Sequence, residues 1–258
     1  MIPELHIGAG AEALRAGFRP LDGAAEAALA AAPGEGAEQA ALGLARALVC
    51  RLSRGGAEIA LEDLTLAEFD ALLAHLACAL VSPVLTCETG CPACGTRFEF
   101  ALDLPALQAA LAAEAAGVSV VAGIATDPVS GRRFRLPRLR DQALLRAEGP
   151  EAWLRSLLLE GPFAPELEAE IARAAPVLTQ DVQAACPECG RAGPVRFDIA
   201  RYLVDSLAGE AGFLWREVHL VARAYGWALA EILALPREVR RRLAALVLAD
   251  ATALRRAS

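Results

Sequence analysis

The sequence predicts an α+β protein, mostly helical, with a zinc-ribbon-like β unit built from two CPxCG hairpins separated by a mixed insertion. Three observations predict it. Ala and Leu dominate a chain of 258 residues that is 55% hydrophobic but only 5% aromatic; this mix favours helices, because Ala costs no side-chain entropy and Leu loses little. Two short cysteine turns, CPACG from Cys91 and CPECG from Cys186, each lie between β-rich runs. Apolar residues recur at helical spacing on both sides of that unit.

The order of elements follows from local signals. Residues 1–80 read as a helical region: LDGAAEAALAAA, a Pro-Gly break, AEQAALGLARALVCRL, then LTLAEFDALLAHLACAL. In the last of these Thr65 is placed as N-cap and Glu68 stands three residues on, as in a capping box. Leu66, Phe69, Leu72, Leu73, Leu76 and Leu80 share its apolar face. Residues 81–104 and 176–200 form the β unit, each a strand, a cysteine turn and a strand. In RFEFALDL the alternation places Phe98, Phe100, Leu102 and Leu104 on one face. Residues 105–175 form the mixed insertion. A helix with Pro at its start (PALQAALAAEAAG) precedes strands VSVVAGIA and GRRFRLP around the turn DPVSG; short helices RLRDQALLRA, EAWLRSLLLE and PELEAEIARAA follow. Residues 201–258 form a C-terminal helical region, with Pro236 at a helix start.

Zinc favours four soft ligands in a tetrahedron, and thiolates suit it. One C-x-x-C turn fills half of that sphere. Cys91, Cys94, Cys186 and Cys189 are therefore read as the ligands of one shared structural zinc, closing a loop of 91 residues between Cys94 and Cys186. The Gly after each second Cys permits the positive φ that turns backbone N–H groups toward sulfur. Rubredoxin-like iron, a redox dithiol pair and a hairpin that has lost its metal are the alternatives. Cys87 is a spare thiol near the first turn. Cys50 and Cys78 read as small core residues on helix faces.

Other chemistry is sparse. The chain has three His, and it carries no G-x-S-x-G, H-E-x-x-H, Walker loop or G-x-G-x-x-G. The expectation is a non-enzymatic protein without a small-molecule substrate. All 25 basic residues are Arg, and the net charge of −7 argues against general nucleic-acid binding. Charge is uneven, however. Residues 132–146 hold six Arg against Asp141 alone, which is either a solvated face or a docking surface for an acidic partner. A nucleic-acid-binding zinc ribbon using these arginines is the second reading. The opening MIPELHIGAG lacks a basic flank, and the charge-free run 71–87 falls short of the ~20 apolar residues of a membrane helix. A cytoplasmic protein without a membrane partner is expected.

The C-terminal segment EVHLVARAYGWALAEILALPREVRRRL contains Tyr225 and Trp227 around a Gly, followed by Arg240, Arg241 and Arg242. These five are the candidate partner-binding residues, although packing in a helical hairpin accounts for the aromatics equally well. In combination the motifs resemble the T4-type phage baseplate hub assembly proteins, also found in bacterial contractile injection systems. The likeness runs through PLD at Pro20–Asp22, LTLAEFDALLAHL, CPACGTRFEFALDL, SGRRFRLPRLRDQALL, CPECG with PVRFDIA, and VHLVARAYGWALAEILALPREVRRRLAAL. It departs from that pattern at Ala228, Ala244 and Ala245. The resemblance implies an assembly chaperone or adaptor in the host cytoplasm, with a baseplate hub or tail-tube protein as partner, or a protein associated with a phage-like particle.

Overall fold

A computed structural model describes residues 2–8, 12–31 and 36–257. About half of the chain is helical, and the rest includes two four-stranded and two two-stranded antiparallel sheets. The chain divides into two compact units. One comprises residues 1–4, 17–50 and 200–258; the other comprises 5–16 and 51–199. The cysteine hairpins and the insertion thus share a unit with the helix that precedes them.

The larger unit begins with strands β1 (Leu5–Ile7) and β2 (Leu14–Phe18), paired as Leu5↔Ala16 and Ile7↔Leu14. Strand β3 (Val49–Arg54) pairs with β4 (Ala57–Glu58). These strands correct the reading of 1–80 as purely helical. The run AEQAALGLARALVCRL leaves its helix at Leu48, where β-branched Val49 takes extended dihedrals. Cys50 consequently lies exposed on β3, not in a helical core.

Helix α3 (Leu66–Leu80) forms as its sequence dictates. The Thr65 hydroxyl accepts the Glu68 N–H at 3.2 Å, and the Glu68 carboxylate accepts the Thr65 N–H at 2.8 Å. Phe69, Leu72, Leu73 and Leu76 are buried along one stripe. The first cysteine hairpin follows as β5 (Val84–Gly90) and β6 (Arg97–Asp103). Burial on β6 alternates with period two, Phe98 and Phe100 inward and Arg97 and Glu99 outward. Asp103 then caps helix α4 (Leu104–Ala115) by accepting the Ala106 N–H.

The insertion folds as a sheet in the order β10–β9–β8–β7, with β7 at Ser119–Val121, β8 at Ile124–Thr126, β9 at Arg133–Arg135 and β10 at Leu158–Glu160. Helix α5 (Gln142–Leu157) breaks at Gly149, whose φ is +85° just before Pro150. Its last predicted residues, Leu158–Glu160, form the edge strand instead, paired with β9. Phe134, Leu154 and Leu157, with Leu167 and Ile171 of α6 (Leu167–Ala174), build one core here. The second hairpin, β11 (Gln180–Ala185) and β12 (Ala192–Phe197), is steered by α3, because the Asp70 carboxylate accepts the Leu178 N–H at 2.7 Å.

The smaller unit packs α1 (Gly23–Ala31), α2 (Ala37–Leu48) and most of α7 (Ile199–Ala208) with α8 (Ala211–Tyr225), α9 (Leu229–Leu233) and α10 (Arg237–Ala257). Leu214, Val218, Val221, Ile232 and Ala244 form its apolar cluster. An ion network runs beside them. Glu26 of α1 accepts from the guanidinium of Arg240 and, at 2.5 Å, from that of Arg237; Arg240 also donates to Glu217 of α8 at 2.9 Å. Gly23 makes room for it, since a Cβ there would stand 2.7 Å from Arg240 Nη1.

Arg240 is therefore corrected from a partner-binding candidate to a fully buried structural residue. Removing it takes a guanidinium from two carboxylates, Glu26 nearly dry and Glu217 mostly buried, and leaves them only Arg237 and Arg241 respectively. Arg240→Ala is expected to cost about 3–5 kcal/mol in chemical denaturation. Arg242→Ala, at an exposed position, is expected to change stability by less than about 0.5 kcal/mol.

Candidate metal centre

The two CPxCG turns are near copies of each other in structure. In the first, the Cys91 N–H donates to the Thr96 carbonyl and the Gly95 N–H donates to the Cys91 carbonyl, both at 2.9 Å. In the second, Cys186 pairs with Arg191 and Gly190 with Cys186 in the same way, also at 2.9 Å. Gly95 and Gly190 have φ of +76° and +70°, a region where a Cβ would be strained. Each turn joins two antiparallel strands, and neither opens a helix as a redox C-x-x-C does.

The hairpins bring the four sulfurs to one point. Their Sγ atoms all lie within 4.8 Å of one another. The shortest approaches run between hairpins, Cys91 to Cys189 at 3.7 Å and Cys94 to Cys186 at 3.8 Å. A tetrahedral centre with metal–sulfur bonds of about 2.3 Å requires sulfur–sulfur edges of about 3.8 Å. The protein alone thus sets two opposite edges of such a tetrahedron. Cys91 and Cys186, the first of each pair, are buried with Phe98 and Ala184, while Cys94 and Cys189 face solvent. This set can hold one metal ion, and four thiolates complete its coordination without an open position for water.

The electrostatics point the same way. The hydroxyl and backbone N–H of Thr96 hold the Cys94 thiol down at about 6. The backbone N–H groups of Cys94 and Ala93 lower Cys91. The Arg191 N–H pulls Cys189 down, but the crowding of Cys91, Cys186 and Cys94 outweighs it and pushes Cys189 up to about 11. Four thiols this close cannot all ionise against one another, and a bound cation removes that conflict.

All four cysteines that the sequence nominates are gathered here. Cys87 is not among them; it sits in β5 opposite Phe100, and burial pushes its thiol up. Thr96 is the functional neighbour that sequence reasoning passed over. Its only signal was a hydroxyl residue directly after the first turn's glycine.

The other candidates lie elsewhere. Tyr225 and Trp227 are 43% and 41% exposed, which corrects the reading of them as hairpin core; their rings stack on each other at 5.3 Å beside Gly226, the left-handed cap of α8. Arg241 bonds Glu210 at 2.7 Å on the exposed side of the ion network. The arginine run 132–146 is mostly consumed internally. Arg132 pairs with buried Glu170, Arg133 with Glu160, Arg135 with Asp141 and Arg140 with Asp63. Among the described residues no helix is long and apolar enough to cross a membrane.

Metal binding must draw every thiol to thiolate and release protons, so metal affinity is expected to fall as pH falls. Chelation, or Cys91→Ser or Cys186→Ser, is expected to lower stability by more than about 4 kcal/mol. Elemental analysis with a denaturant titration across pH 5–8 checks both, and a metal-free protein of unchanged stability would refute them. No protein-family model, curated protein or solved structure matches the chain.

Proposed function

We propose that the protein is a non-enzymatic assembly chaperone or adaptor for the baseplate or hub of a phage-like contractile tail or injection system, stapled by one structural zinc. The observation that carries the partner-binding part is the exposed Tyr225–Trp227 pair. In a chain with only 13 aromatic residues, two large rings held stacked at a helix break and left open to solvent form an anchor of the kind that dominates protein interfaces. The pair falls inside the C-terminal segment that carries the family resemblance, and that resemblance names the class of partner: a hub or tail-tube protein. Zinc is assigned to the thiolate centre because its soft, closed, tetrahedral ligand set suits a structural ion that does no chemistry. The β unit is read as zinc-ribbon-like on the same ground.

The nucleic-acid alternative draws less support. It relies on arginines 132–146 meeting phosphates, and four of the six are bound to carboxylates of this chain.

Co-expression with hub, tube and baseplate proteins of one contractile system, followed by affinity capture, tests the reading. A stoichiometric complex with a hub or tube protein is expected. The double variant Tyr225→Ala with Trp227→Ala is expected to weaken it by about 10- to 30-fold, given about 2 kcal/mol for an aromatic anchor, with thermal stability nearly unchanged. No complex with any of these proteins would sink the proposal.

A further inference from the structure

The larger unit contains a cavity that the metal centre does not touch. It has a volume of about 490 Å³ and an apolar lining that includes Leu111, Ala115, Val120, Leu136 and Leu178. That is a size at which proteins hold ligands or side chains of a partner. A second cavity of about 390 Å³ adjoins it, sharing Ala122, Gly123 and Arg138, and carrying Arg135, Arg140 and Asp141 on its walls.

Between the two cavities stands the β7–β8 hairpin. Val121 pairs with Ile124 across a two-residue turn, Ala122–Gly123. Both turn residues have positive φ, +51° and +73°, as the tight turn of such a hairpin requires. Ala122 is the one described residue other than glycine that accepts this strain. The register has a consequence for hydrogen bonding. The pair flanking a two-residue turn exchanges both of its bonds, and the next pair exchanges none. Val120, paired with Ala125, therefore directs its N–H and C=O away from β8. β7 is an end strand of its sheet. Its valines are open, Val120 at 41% and Val121 at 69% exposed. A short apolar edge strand with unpaired backbone groups is a template for another strand.

Charge sets the polarity of what fits. Arg138 borders both cavities; its guanidinium makes no close ion pair among the described residues, although its charge reaches Asp141 on the second cavity. Its neighbours are engaged: Arg135 donates to Asp141, and Arg140 pairs with Asp63. Of the acids on the larger cavity, Glu68 is held by Arg54 and Thr65, and Glu12 is exposed in the segment between β1 and β2. The larger cavity is thus neutral as a whole, with Arg54 and Arg138 against Glu68 and Glu12, and an anion is drawn by the Arg138 guanidinium alone.

We propose that the β7 edge and its groove form a binding site for an extended acidic peptide segment of a partner protein. The segment's backbone pairs with Val120, its aliphatic side chains fill the groove, and a carboxylate rests on Arg138. A peptide is the occupant because the outward N–H and C=O of Val120 are satisfied by another strand and not by a small amphiphile. The site lies in a different unit from Tyr225 and Trp227, and it stands whether or not the partner belongs to a contractile tail.

The test is selection from a random decapeptide library on the immobilised, full-length, metal-loaded protein. Enriched peptides are expected to combine β-branched residues with Asp or Glu. A fluorescent copy of one of them is expected to bind about tenfold more weakly to Val120→Pro, which removes the outward N–H without touching a hydrogen bond between β7 and β8, and to Arg138→Gln. Hydrogen exchange at the Val120 amide is expected to slow when that peptide is added. Metal content and thermal melting confirm that both variants fold. Three results overturn the proposal: no enrichment over the Val120→Pro protein, selected peptides that bind both variants as tightly as the original, or displacement by decanoate that is indifferent to Val120→Pro.

Discussion

Four thiols held within 4.8 Å of one another are the constraint on which the larger unit depends. Left without a cation they compete for protons, with Cys94 pulled to about 6 and Cys189 driven to about 11. With a metal they become four equivalent ligands, and their mutual repulsion becomes coordination. The cost of bringing them together is chain entropy. By the chain-entropy account, closing a loop of about 100 residues restricts the unfolded chain by about 4.7 kcal/mol. Each half-site is built as a rigid turn, which lowers what a bound ion would have to overcome. The Asp70 carboxylate, reaching from α3 to the Leu178 N–H, sets the approach of the second half.

Arginine does the work that a larger chemical repertoire would share. With no lysine available, the chain pairs Arg132, Arg237 and Arg240 to buried carboxylates, using the planar fork that suits such sites. Each acid lies on a different element from its arginine. A run that reads as a positive surface is therefore largely internal wiring. Arg138 makes no such close pair, although its charge reaches Asp141, and it faces a cavity.

The aromatics divide in a similar way. Phe98 lies against the thiol cluster and Phe134 in the insertion core, where rings replace apolar volume that Ala and Leu cannot supply. Tyr225 and Trp227 stack on each other and stay open. Gly226 makes this possible, since its left-handed conformation ends α8 and turns Trp227 back toward Tyr225.

The sequence by itself determined what is local. The Thr65 capping box, the stripe Phe69–Leu72–Leu73–Leu76, the alternation at Phe98 and Phe100, the Pro-started α4 and the two cysteine turns depend on contacts within a few residues, and spacing reveals such contacts. It also named the four cysteines that gather at one point, because two half-sites of one kind have one economical solution. Only the tertiary structure decided the strand at Leu158–Glu160, which has no partner until β9, distant in the chain, lies beside it. It alone decided that Arg240 is buried and Tyr225 exposed, since burial depends on which helix lies opposite. The groove beside Val120 and the place of Arg138 on its wall were equally invisible: a cavity is bounded by residues far apart in the chain, and no periodicity records it.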